Sequence, residues 1–188
     1  MLIDGRTVYS PLAATVFWEL HHLPVEDVRQ IEVISGPGGT LYGPNAVNGV
    51  INITTRDARD TIGGLVRATA GDYERTLALR YGAALGGSGA VRVYGHLWDR
   101  EDLPPGLGPD ADDRFRGWQA GFRADLGGDA SQFTIQGDLF DTDASADGAL
   151  AGDGDSGHNL LARWSRQLGA ASSLQVHAYY DYFEREFR

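Results

Sequence analysis

The sequence predicts a mainly β protein in two parts, a small α+β unit followed by a run of antiparallel strands. Three observations predict it. Between Ile31 and Thr55, two short β-rich runs flank dense turn chemistry. Beyond Asp60, apolar and polar residues alternate in one segment after another, the period of strands with one apolar and one polar face. The connections between those segments are by turns tight and glycine-rich, or long and acidic.

The first part is justified residue by residue. Leu2 to Tyr9 reads as a short strand with a turn at Asp4-Gly5, broken at Ser10-Pro11. Leu12 to Leu23 supports two readings. Ala13, Ala14, Trp18, Glu19 and Leu20 suit a short helix, whereas Thr15, Val16 and Phe17 favour extension. Pro24 pushes Leu23 out of the helical region. It then opens one helical turn over Val25 to Gln30, with Glu26 and Asp27 near the positive end of the dipole. Ile31 to Ile34 and Val50 to Ile53 are strands. Between them lie the turns Gly36-Pro37-Gly38-Gly39 and Asn48-Gly49, where glycine reaches positive φ without steric cost and Asn45 and Asn48 tolerate left-handed backbone. No Lys-Ser/Thr follows Gly39, which excludes a P-loop. Arg56 to Asp60 reads as a charged linker, and the boundary between the two parts is expected there.

The second part is built on period two. Leu77, Leu79, Tyr81, Ala83 and Leu85 alternate with small or polar residues, and Val91, Val93 and Leu97 with Arg92, Tyr94, His96 and Trp98. Trp118, Ala120, Phe122, Ala124 and Leu126 follow the same rule, as do Phe133, Ile135 and Leu139. So do Leu160, Ala162 and Trp164, then Leu174, Val176, Ala178, Tyr180 and Tyr182. With Ile62 to Ala70 this makes about seven strands of roughly ten residues, the length needed to cross a membrane as a strand. Gly86 to Gly89, Gly127 to Asp129 and Gly169 to Ala171 are tight turns, while Arg100 to Asp113 and Thr142 to Gly157 are long. Short turns on one side and long loops on the other mark an outer-membrane barrel. Trp98, Trp118, Tyr180 and Tyr182, near strand ends, are expected to form an interfacial girdle. The alternative is a soluble β-sandwich or adhesion module, whose core would cover the apolar face.

Composition narrows the function classes. The chain has 188 residues and a formal net charge of −10, which argues against a nucleic-acid partner. Cysteine is absent, so disulfides and thiolate metal sites are excluded. There is no apolar run of about 18 residues, hence no expected transmembrane helix. Met1 leads straight into Leu2-Ile3-Asp4-Gly5 with no visible signal peptide, and the expectation is therefore an internal piece of a longer protein or a truncated gene.

One resemblance ties these features together. Ile31, Glu32, Val33, Gly36, Pro37, Leu41, Tyr42, Gly43, Ala46, Gly49, Val50, Ile51, Asn52, Ile53 and Thr55 stand in register with an I-E-V-x-R-G-P, L-Y-G, G-V-I-N-I-x-T pattern. Leu2-Ile3-Asp4-Gly5 is similar to its upstream V-L-I-D-G. The pattern resembles the second half of the plug domain of TonB-dependent outer-membrane receptors. The resemblance implies that residues 1–57 are the C-terminal half of a plug, and residues 58–188 the first strands of an incomplete outer-membrane barrel. It implies a plug motif of Asp4, Gly5, Glu32, Gly36, Pro37, Leu41, Tyr42, Gly43, Gly49 and Asn52. It further implies energised uptake of a scarce nutrient, most often a ferric siderophore, across a Gram-negative outer membrane. The implied partners are TonB, the siderophore and outer-membrane lipid, with the TonB-contact segment lying upstream of Met1. The loop after the D-G segment touches the substrate in such receptors, which carries over to Tyr9, Ser10, Leu12 and Thr15. Ser35 departs from the pattern, since the family usually has a cation there that pairs with acids on the barrel wall.

The remaining polar residues give weaker signals. Asp99, Glu101, Asp102, Asp110, Asp112 and Asp113, with Asp141, Asp143, Asp147, Asp153 and Asp155, are oxygen donors of the kind calcium takes. Their spacing is not that of an EF-hand, and a solvated loop surface is the expectation. His21 and His22 are adjacent and point apart, a poor chelating pair. His96 and His177 are expected on the polar face beside Arg92 and Asp181. Ser10, Ser35 and Ser165 lack a nucleophile-elbow context. No enzyme activity, cofactor or metal site is expected.

Overall fold

The computed structural model describes residues 1–10, 14–43, 45–102, 114–144 and 154–186. They fall into two compact units, Met1–Arg56 and Asp57–Arg188.

The first unit is a four-stranded sheet in the order β2-β1-β4-β3, with β1 Leu2–Ile3, β2 Arg6–Thr7, β3 Val28–Ser35 and β4 Gly49–Thr55. Strands β1 and β2 form a hairpin over Asp4 and Gly5, both at positive φ (52° and 85°), the turn that matches strand twist. β1 runs parallel to β4 and β3 antiparallel to it. A four-residue helix, α1 (Gly39–Tyr42), fills the loop between β3 and β4, where the sequence pointed only to turns. Of the stretch from Leu12 to Leu23, Trp18–Leu20 forms a 3₁₀ turn, while Leu12 and Ala13 lie outside the described residues. The helical turn expected to reach Gln30 stops at Asp27, because Val28 already pairs with Thr55 in the ladder. β-branched Val28 gains more from that pairing than from another residue of helix.

The second unit holds a single seven-stranded sheet among the described residues, an up-and-down meander in chain order. Its strands are β5 Gly63–Ala70, β6 Glu74–Leu85, β7 Gly89–Arg100, β8 Phe115–Gly128, β9 Ser131–Ala144, β10 Gly154–Gly169 and β11 Ser172–Glu186. Every neighbour is antiparallel. From β8 on the strands have 14 to 16 residues, longer than the expected ten. The extra residues lie mostly at the long-loop end, so Asp141, Asp143 and Asp155 belong to strands rather than loops.

Register carries the alternation across the whole sheet. One apolar row runs Tyr81–Val93–Phe122–Gly137–Leu160–Tyr180. Its side chains face outward from the unit, Tyr81 at 62 % exposure. On β8 the apolar positions run from Trp118 to Leu126, about 27 Å along the strand at 3.4 Å per residue. At a tilt of about 40° that covers about 21 Å, close to the apolar band of an outer-membrane barrel. Toward the long loops the same face turns charged at Arg75, Asp99, Arg116 and Asp143, which are register neighbours. A sandwich needs a second sheet over the apolar face, and this unit has one sheet among its described residues.

Trp98 is a correction. It shares the polar face with Arg92, Tyr94 and His96 and is 3 % exposed. Its ring stacks on Phe115 at 6.2 Å and tilts against His96 at 5.3 Å. Its register partner Gly117 leaves the room: a Cβ there would sit 2.7 Å from the indole. Strand parity, not the amphipathic indole, decides its side, so Trp98 leaves the expected girdle. Trp118, Tyr180 and Tyr182 are exposed on the apolar face.

The charged linker expected at Arg56 to Asp60 is also corrected. Asp57 caps a 3₁₀ turn, Ala58–Thr61, accepting from the Arg59 N–H at 2.9 Å. Ala58 and Thr61 are buried.

Candidate functional site

Asp4 organises the first unit. Its carboxylate is buried and accepts from the Thr55 backbone N–H at 2.9 Å and the Thr55 hydroxyl at 2.7 Å. The Asp4 N–H donates to the Ile53 carbonyl at 2.9 Å. Aspartate combines a tolerated left-handed backbone with an acceptor that reaches the end of β4. The turn before β2 is thereby tied to the far end of the motif.

Glu32 and Asn52 are register partners on β3 and β4, and the Asn52 amide donates to the Glu32 carboxylate at 2.8 Å. The turn between those strands is closed by backbone bonds from Gly36 N–H to the Asn48 carbonyl (3.1 Å) and from Gly38 N–H to the Ala46 carbonyl (2.8 Å). α1 ends at Gly43, whose N–H reaches the Gly39 carbonyl at 3.1 Å. Two glycines show different needs. Gly36 has φ +98° and open space where a Cβ would go. Gly49 has φ +151°, and a Cβ there would overlap the Ile34 carbonyl oxygen. Pro37, Leu41 and Tyr42 are exposed, Leu41 at 84 %. The Leu41-Tyr42-Gly43 segment therefore presents surface rather than core.

In the loop after β2, the Ser10 N–H donates to the Thr15 carbonyl at 2.8 Å, an isolated antiparallel bridge. Ser10 and Thr15 are thus brought together, Tyr9 precedes them half-buried, and Leu12 lies outside the described residues. Burial pulls His21 down to about 4, with Arg6 and His22 adding like-charge repulsion.

Several polar contacts of the second unit escaped the sequence reading. Tyr94 donates its hydroxyl to Asp138 and accepts from Gln119 at 2.7 Å, while Asn159 donates to Asp138 at 3.3 Å. Gly121 stands between Tyr94 and Asp138, and a Cβ there would come within 2.6 Å of the ring. Asp125, 2 % exposed, accepts from the Arg123 guanidinium, the Thr134 hydroxyl (2.7 Å) and the Ala58 N–H (2.8 Å). Alternation in the sequence places Asp125 on the polar face, but nothing local signals a partner 67 residues away.

The remaining acids and histidines fall into place. Asp99 pairs with Arg114 (3.2 Å), Glu101 with Arg75 (3.4 Å), Asp155 with Arg185 (2.7 Å) and Asp143 with Arg116. Asp110, Asp112, Asp113, Asp147 and Asp153 lie outside the described residues. Among the described residues no group of three His, Cys, Asp or Glu is placed to hold a metal ion. His96 and His177 have the parity of the polar face, whereas His158 sits on the apolar face against Tyr180 and Tyr182.

Residues 1–50 match the family described as the TonB-dependent receptor plug domain. Over 138 residues the chain is 30 % identical to the vitamin B12 transporter BtuB of Vibrio vulnificus, covering 69 % of this chain and 22 % of that one. The chain belongs to the TonB-dependent receptors. The chain is also 33 % identical over 72 residues to the ferric enterobactin receptor PirA of Pseudomonas aeruginosa, 34 % of this chain and 10 % of that protein. Among solved structures it is similar to the copper transporter OprC, with a TM-score of 0.63 at 20 % identity, over 81 % of this chain and 24 % of that one. That likeness bears on fold. The chain spans less than a quarter of each of these proteins. Its place is the outer membrane of a Gram-negative bacterium, and its family is one of transport receptors rather than enzymes.

Proposed function

We propose that residues 1–57 form the C-terminal half of a plug, that residues 58–188 form the first seven strands of its barrel, and that the whole receptor imports a ferric siderophore with energy relayed by TonB. One observation carries this reading. A sheet with the plug motif runs, within a few residues, into a meander whose apolar face suits lipid. The physical logic follows. A barrel wide enough for a nutrient chelate would leak if open, so a plug must close it and an inward-acting partner must loosen the plug. Tyr9, Ser10, Leu12 and Thr15 are the proposed ligand contacts, Tyr9 offering ring area and a hydroxyl to a polar, ring-bearing ligand. Ser35 removes the usual cation, and with it the plug–barrel ion pair, from the plug motif; Glu32 accepts from Asn52 within the motif.

Two matches bear on the substrate. The ferric enterobactin receptor supports an iron chelate. The vitamin B12 transporter, matched over more of the chain, favours a corrinoid as the second reading. The test expresses the full-length coding frame in a Gram-negative host lacking its own receptors, with and without TonB. Labelled ferric siderophore is expected to accumulate only when TonB is present. Labelled cobalamin accumulating in its place would select the second reading, and uptake indifferent to TonB would overturn both.

A further inference from the structure

The segment that enters the second unit is fastened there in a way its length alone does not require. The Ala58 N–H donates to buried Asp125 on β8 at 2.8 Å. The Arg59 guanidinium forks onto the Ser88 carbonyl in the β6–β7 turn (3.0 and 2.9 Å) and reaches the Gly127 carbonyl near the end of β8 (2.7 Å). Its remaining arm pairs with Asp57 at 2.9 Å. The turn closes on itself through the Asp60 N–H to the Asp57 carbonyl (3.1 Å) and the Thr61 hydroxyl to the Ala58 carbonyl (3.0 Å). The Thr61 carbonyl then rests on Gly82 of β6 so closely that a Cβ there would overlap it. Asp125 is itself held by Arg123 and Thr134. The turn therefore grips β6, the β6–β7 turn and β8 before the chain ever enters β5.

We propose that Asp57–Thr61 is a mechanical anchor, with Arg59 its clamp, that stops a pull on the first unit from reaching β5. The inference rests on the reading of an energised plug. Tension arriving at Arg56 meets several bonds loaded together, spread over β6 and β8, rather than β5 alone. β5 has eight residues and is the shortest strand of the sheet. Peeled from β6, it would open the wall. Carbonyl acceptors suit this role, because they belong to the backbone of the elements being gripped and cannot rotate away. Arginine suits it because its planar fork donates to several acceptors at once.

The test pulls the full-length receptor, folded in a bilayer, by its N-terminus in a force spectrometer. Extension of the wild type is expected to end with the first unit, at Arg56. In Arg59→Ala the clamp is lost, and an added step of about 5 nm, the contour length of residues 57–70, is expected at lower force. Arg59→Lys keeps a charge near Asp57 but loses the fork, and its step should appear at intermediate force. Heat-modifiable migration on gels confirms that each variant has a folded barrel. If Arg59→Ala does not fold, Arg59→Lys alone decides. Identical final extension and detachment force in wild type and variant would overturn the anchor. The pull needs neither substrate nor TonB, so an anchor that fails here is separable from a receptor that fails to import.

Discussion

The two units use β structure in opposite ways. In Met1–Arg56 the strands have two, two, eight and seven residues, and single polar contacts fix how they meet. In Asp57–Arg188 six of seven strands have twelve residues or more, and long antiparallel ladders do the same work. The first unit depends on particular residues, the second on its solvent. A sheet with an apolar band along one face is stable where lipid covers that band, and its edge strands need partners there.

The largest effect should come from denying the second unit its surroundings. Expressed as these 188 residues, the polypeptide is expected to aggregate or stay unfolded in detergent, because a seven-stranded sheet of this kind leaves two edge strands without partners. Size-exclusion profiles and heat-modifiable migration check this. A monodisperse, heat-modifiable barrel would break the contrast between the units.

In the first unit the largest single effect belongs to Asp4. Asp4→Ala leaves the Thr55 N–H and hydroxyl without their acceptor and puts alanine at positive φ. The expected loss is about 3 kcal/mol. Asp4→Asn, which tolerates the backbone, should lose about half as much. Hydrogen exchange of the β4 amides in the full-length receptor reads both. Equal losses would mean that the Thr55 bonds, not the turn conformation, matter.

The glycines sharpen the comparison. Gly49→Ala meets both an unfavourable φ and the Ile34 carbonyl, and should cost about 2–3 kcal/mol. Gly36→Ala meets only φ, and should cost about 1 kcal/mol. Protection of β3 against β4 distinguishes them. Matching values would remove the close approach from the account.

The same division explains what could be read in advance. Period two needs no knowledge of distant residues, so the alternating strands and the polar faces of Arg92, Tyr94 and Asp125 are legible in the chain. Trp98 is misjudged when its chemistry is weighed above its parity. The contacts of Asp4 with Thr55, and of Ala58 with Asp125, join residues 51 and 67 positions apart. No local pattern encodes such pairs. α1 is missed for another reason: Gly39 and Gly43 at its ends are poor helix formers, and backbone closure onto Gly38 and Gly39 holds the turn instead.

The last effect is a titration. His21 is held neutral, at about 4 rather than near 6.5, by burial and then by Arg6 and His22. A lowered histidine value means that the unfolded chain binds the proton first. Stability of the first unit is therefore complete above about pH 6.5 and falls as pH drops toward 4, by about 2 kcal/mol after allowing for partial exposure. His21→Gln cannot take up that proton, so its acid profile should be flatter over this window alone. Exchange of the first-unit amides at pH 7 and pH 4.5 compares the two. Parallel profiles would place the acid sensitivity outside His21.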